Sequence, residues 1–189
     1  MNASSTPTVT HPQTNTRTLV RIALVTAVTC ILAPLSIPLP FSPVPLSLTN
    51  FVLYVSIFLL GWKSATISYL VYLLLGTVGL PVFSGFAGGL GKLAGPTGGY
   101  LVGMIFLTIL SGFIAERCSR KPVIIFLGML LGSAVNYLFG TLWLCMQLHL
   151  SFLEGLMTGV VPYIVFDIIK MVIALIIGIT VQKRLKHLL

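Results

Sequence analysis

Charge is what this sequence lacks. Of 189 residues only three are acidic, Glu116, Glu154 and Asp167, and charged residues of both signs make up 7 %. A soluble domain carries about 25 %, so this chain cannot cover a water-facing surface, and lipid must solvate most of it. Cysteine and histidine are sparse too, three of each. Cys30, Cys118 and Cys145 match no metal or redox spacing and read as small apolar filler with no disulfide. The histidines form no ligand cluster, and His149 falls in a loop. The nucleophile with a base at membrane depth that an intramembrane hydrolase needs is therefore missing, so no enzyme is expected. No internal repeat appears, which argues against an inverted-repeat transporter. A basic n-region and a cleavage site are also missing, so residues 1–16, rich in Thr, Ser, Asn and Pro, read as a disordered polar tail rather than a secretory signal.

What is present is apolar: 57 % hydrophobic residues and a mean hydropathy of +1.07. Six apolar spans can be traced: Thr18–Leu35, Ser47–Leu60, Ala65–Leu80, Thr97–Ala115, Val123–Met146 and Leu156–Val181. Inside a bilayer every backbone polar group needs an internal partner, so these predict helices. The expected fold is an all-α integral membrane protein of six transmembrane helices in one domain, 17–189. The net charge of +8 would suggest nucleic acid in a soluble protein. Here the basic residues punctuate the spans and set topology instead. With the N-terminus in the cytoplasm, Arg17, Arg21, Lys63, Arg117, Arg120, Lys121, Lys183, Arg184 and Lys186 lie inside, and only Lys92 outside. Both termini are thus expected to be cytoplasmic, in the cell membrane of a prokaryote.

That topology leaves three connections outside. Ser36–Leu46 is a proline-stiffened apolar loop, and Gln147–Gly155 carries His149 and Glu154. Between them, Pro81–Tyr100 (PVFSGFAGGLGKLAGPTGGY) is dense in glycine yet keeps Phe83, Phe86, Leu90, Leu93 and Tyr100 as anchors. It reads as an ordered, folded-in loop, and with the first loop it suits a lid over a cavity. Two interfacial loops lying on the headgroups are the plainer alternative. GGLGK is no phosphate cradle: Phe86 stands where the first glycine is required, and Leu93 where Ser or Thr must be.

Asp167 lies inside the sixth span with Lys170 three residues on, a spacing that shares one helix face. Ionisable groups at membrane depth are expensive and mark function by default; a structural ion pair is the alternative. Glu116, beside Arg117 at a helix end, reads as merely solvated. Asn136 lies at comparable depth in the fifth span. Ala23 and Ala27 form a small-xxx-small pair that admits close approach of another helix.

With these residues placed, the sequence resembles the BioY family, the biotin-specific substrate-binding (S) components of energy-coupling factor (ECF) transporters. The resemblance rests on FSPVPLSLTN, on PVFSGFAGGLGKLAGPTGGYLVG and on VPYIVFDIIK. It covers essentially everything after the first sixteen residues. The chain departs from the family pattern at Ser47 and Thr49, where Thr and Gln are usual, and at Val165 and Phe166 ahead of Asp167. The resemblance implies six helices, capture of external biotin and no ATPase of its own. It also implies delivery through a transmembrane coupling protein that docks on Ala23 and Ala27 and, through it, a pair of ATPase subunits. A self-contained secondary transporter is the alternative. Biotin is then the transported ligand, and no cofactor is expected. Its ureido ring offers two N–H donors and one carbonyl, for which Asp167 is the obvious acceptor. Lys170 is open to three uses: the ureido carbonyl, Asp167, or the valerate carboxylate. Thr97 at the amino end of the fourth helix is a further valerate candidate. Phe83 and Tyr100 are candidate walls for the thiophane ring, and Thr49 a ligand contact.

Overall fold

A computed structural model of the chain describes residues 16–117 and 121–187. Residues 1–15 of the expected tail 1–16, with Cys118 and Arg120, lie outside the described residues, and Thr16 already belongs to the first helix. The first helix, α1 (Thr16–Leu32), leads into an antiparallel hairpin of β1 (Ser36–Leu39) and β2 (Ser42–Ser47). Then come α2 (Thr49–Val78), the short α3 (Leu90–Ala94), α4 (Gly98–Arg117), α5 (Pro122–Leu148), α6 (Phe152–Gly159) and α7 (Val161–His187). Four of these are long and apolar enough to cross a membrane: Thr49–Val78, Gly98–Arg117, Pro122–Leu148 and Val161–Gln182.

The structure departs from the sequence expectation in three places. The first external connection is a β-hairpin, paired Ser36 to Ser47, Ile37 to Leu46 and Leu39 to Ser42. Prolines argue against strands, but in a two-stranded hairpin each strand has a free edge where a missing N–H costs nothing. The second and third spans form one element, α2, broken only at Gly61, whose backbone (φ 76°, ψ 167°) suits glycine alone. No loop separates the two arms. The N–H of Trp62, orphaned by the break, donates to Glu116 Oε1 at 3.0 Å. Glu116 is therefore a cap on the second arm of α2 rather than a merely solvated charge. The sixth span is also split. A capping box starts α6, with the Glu154 carboxylate accepting from the Ser151 N–H at 2.8 Å while Ser151 Oγ accepts from the Glu154 N–H. The chain breaks at Val160, and α7 begins at Val161 rather than Leu156.

The glycine-rich stretch is ordered and folded in. At the end of α2, Gly79 adopts φ 117° and the Leu80 N–H returns to the Leu75 carbonyl at 3.2 Å, a Schellman close. The Phe83 N–H then bonds the Ala87 carbonyl, and the Gly89 N–H bonds the Gly76 carbonyl at 2.7 Å. Phe83 itself is fully buried, edge-on to Tyr72 with ring centroids 5.6 Å apart. A Cβ on Gly76 would fall 2.2 Å from its ring, so that glycine is where the loop locks down. The helices α4 and α5 approach closely because small residues line their contact. A Cβ on Gly103 would lie 2.4 Å from Asn136 Oδ1, and one on Gly132 3.0 Å from the Leu107 carbonyl. Leu53, Tyr54, Phe58, Tyr69, Leu107, Met129 and Met171 fill the core between α2, α4, α5 and α7.

Candidate functional site

On α7, Tyr163, Asp167 and Lys170 recur at helical spacing and so share one face. That face meets the hairpin, the start of α2, and α5. The Tyr163 hydroxyl donates to the Val44 carbonyl of β2, pinning the hairpin over the helix. Lys170 Nζ donates to Asp167 Oδ1 at 3.0 Å, to the Ser47 carbonyl at 2.7 Å and to Asn50 Oδ1 at 3.2 Å. All three ammonium protons have acceptors. The pair is not internal to one helix: its lysine ties α7 to the end of β2 and to α2. The other carboxylate oxygen, Asp167 Oδ2, accepts from the Tyr137 hydroxyl on α5. Asp167 is 6 % exposed, and both its oxygens have donors, which a buried charge requires.

These groups face a small cavity of about 60 Å³, lined among others by Ser47, Asn50, Tyr100, Asn136, Tyr137 and Tyr163, with Asp167 and Lys170. At about 10–15 Å³ for each water that is room for a few waters. Sites for drug-sized ligands run from about 300 to 1,000 Å³, so a ligand of that size needs the walls to part. Asn136 lines the cavity, and its Oδ1, packed beside Gly103 of α4, is the buried side-chain oxygen without a hydrogen-bond partner among the described residues. Leaving such an acceptor unpaired is costly and marks a place for a donor. The Tyr100 hydroxyl is engaged, donating to the Gly159 carbonyl at 3.2 Å and lying 3.3 Å from Thr141 Oγ1.

Of the residues singled out in the sequence, the cavity gathers Asp167, Lys170, Asn136 and Tyr100. The other three are not in its lining. Phe83 packs beneath the glycine-rich loop, and Thr97 is buried at the foot of α4. Thr49 Oγ1 sits 2.5 Å from Ser47 Oγ at the start of α2. Ala23 and Ala27 are exposed on the outward face of α1, whose inward face of Ile22, Val25, Thr26 and Thr29 packs on α2. Sequence reasoning missed Tyr137, Tyr163, Asn50 and the hairpin carbonyls. Tyr163 could have been found from its four-residue spacing to Asp167, and Tyr137 from its place beside Asn136. The Ser47 and Val44 carbonyls carry no side-chain signal at all.

Comparison with known proteins bears on what such a site holds. A family model for the BioY family matches residues 4–187. The chain belongs to the BioY family. Among its BioY relatives, the biotin transporter BioY of Thermotoga maritima is 36 % identical over 167 residues, spanning 88 % of this chain and 96 % of that one. The probable biotin transporter BioY of Pyrococcus horikoshii is 36 % identical over 161 residues, 85 % of this chain and 93 % of that one. A crystal structure of the S-component for biotin from an ECF-type ABC transporter superposes with a TM-score of 0.84 at 31 % identity. That alignment covers 93 % of this chain and 95 % of the other.

Proposed function

We propose that this chain is a high-affinity biotin-binding membrane subunit, the S component of an ECF-type importer, with its site around Asp167. The observation that carries the reading is the Asp167–Lys170–Asn136 constellation at a cavity roofed by the hairpin, in a chain whose BioY relatives are named biotin transporters. A ureido ring presents two N–H donors and a carbonyl. The Asp167 carboxylate takes the N–H pair, with the unpartnered Asn136 Oδ1 as a further acceptor, and the Lys170 ammonium stays paired with Asp167 Oδ1. Tyr100, Met104 and the hairpin residues Val44–Leu46 supply apolar wall for the thiophane ring. Because Tyr163 and Lys170 bond hairpin carbonyls, release of those bonds opens the roof, and their re-formation closes it over ligand.

In the membrane we place six crossings, counting the two arms of α2 on either side of Gly61, with both termini cytoplasmic and the hairpin outside. The basic residues Arg17, Arg21, Lys63, Lys121 and Arg184 at one end support that orientation. The membrane is the cell membrane of a prokaryote. The coupling protein docks on the exposed Ala23–Ala27 face of α1 and links the chain to a pair of ATPase subunits.

Titration of detergent-purified protein with biotin tests the function. Tight, stoichiometric binding with the ligand recovered unchanged is expected. Absence of binding would overturn the reading.

A further inference from the structure

Behind the biotin cavity lies a second hollow, of about 170 Å³, between α5 and α7, lined by Leu130, Ser133, Ala134, Ile164, Ile168 and Met171. Two residues belong to both hollows: Tyr137 and Asp167. They form the shared wall, closed by the hydrogen bond from the Tyr137 hydroxyl to Asp167 Oδ2. The front cavity is too small for a bicyclic ligand, while the rear one is apolar and large enough to take more of an aromatic ring. On the open side of the rear cleft Ala134, Ile164 and Ile168 are exposed, so among the described residues none packs there to block a ring, and fluid acyl chains are what it would displace.

We propose that Tyr137 is an internal stand-in for the ligand, donating to Asp167 Oδ2 and retreating into the α5–α7 cleft when a ligand N–H takes its place. This deepens the biotin reading and rests on it. A buried carboxylate with only one partner would be costly in the empty protein. With Tyr137 on Oδ2 and Lys170 on Oδ1, the charge is satisfied before ligand arrives. An acid that must meet two N–H groups side by side needs its second oxygen cleared. The exchange swaps one donor for another at the same oxygen, so it leaves the carboxylate paired throughout. The departing ring also vacates volume in the front cavity, which is where space is short. Tyr137 is thus a specificity residue. A ligand with a single donor gains less from displacing it than a ligand presenting two.

The sign of a substitution separates this from an ordinary ligand contact. Tyr137→Phe keeps the ring and removes the competing donor. Biotin should bind at least threefold more tightly, whereas a residue that holds the ligand would show weaker binding. Ala134→Phe fills the cleft with Tyr137 intact and should weaken biotin about tenfold. Fluorotyrosine at position 137 in the otherwise unaltered protein gives a readout that needs no loss of stability. Its ¹⁹F resonance should shift on biotin addition to that of a more apolar setting. Weaker or equal binding by Tyr137→Phe, or a resonance unmoved by biotin, would overturn the proposal while leaving biotin binding in place. Failure of the unaltered protein to bind biotin would overturn both readings.

Discussion

Asp167 and Lys170 illustrate how much of a buried pair lies outside the pair. The i, i+3 spacing is legible in the sequence, but the use of the lysine is not. Two of its three acceptors, the Ser47 carbonyl and Asn50, come from elements more than a hundred residues away. Removing one partner of a buried pair costs about 3–5 kcal/mol, because the other charge is stranded. Lys170→Met should therefore lower thermal stability in detergent by an amount of that order. It should also raise amide exchange across residues 36–47, because the hairpin loses its tie. Unchanged exchange there would show that Lys170 does not hold the roof. Asn136 is a different case. Its depth in the fifth span is readable, yet only the structure leaves its oxygen without a donor.

At the scale of elements, what the sequence reveals follows from which physical signal each segment carries. The glycine-rich stretch is readable as folded in because its aromatic anchors are visible, and Phe83 is buried against Tyr72 as an anchor should be. The hairpin is hidden because Pro38, Pro43 and Pro45 mask its strands, and the free edges that excuse them appear only when the strands pair. Continuity of α2 is hidden because Gly61 to Ser64 reads as a turn, while a carboxylate far along the chain, Glu116, takes the freed N–H of Trp62. The start of α6 depends on Ser151 and Glu154, outside the long apolar helices. The Ser151 hydroxyl, and after it the Ser151 N–H, hold the Glu154 carboxyl below the usual value of 4.5. A carboxyl lowered by folding stabilises the folded form in full above its unfolded value, and that contribution disappears as pH falls through the lowered one. Protection factors of α6 amides should thus fall in acid below about pH 4.5 and stay flat from there to neutrality. Glu154→Gln should remove the step. An acid step of equal size in that variant would place its origin elsewhere.

Across the whole molecule, polar groups are partitioned between two tasks. Glu116, Gln182 and the exposed basic residues lie at the end opposite the hairpin, while Asp167, Lys170 and Asn136 gather beneath it. Between them the surface is apolar, as lipid demands. On α1, Leu19, Val20 and Leu24 surround Ala23 and Ala27, so the small residues form a shallow trough between larger ones. A trough of that kind admits a partner helix at close range. Ala23→Trp should leave biotin affinity of the isolated protein unchanged and abolish uptake with the coupling protein and ATPases in proteoliposomes. Full uptake by that variant would move the docking surface elsewhere.

We propose that the buried Asp167 carboxylate is the group that meets the ligand's paired N–H donors. Asp167→Asn, measured by calorimetric titration of the purified protein with biotin, addresses it most directly. The amide offers one acceptor oxygen and no charge, so loss of charge-assisted bonds of about 1.5–3 kcal/mol predicts affinity lower by roughly tenfold to a hundredfold. Biotin affinity equal to that of the unaltered protein would contradict the assignment of Asp167 as the ligand's partner.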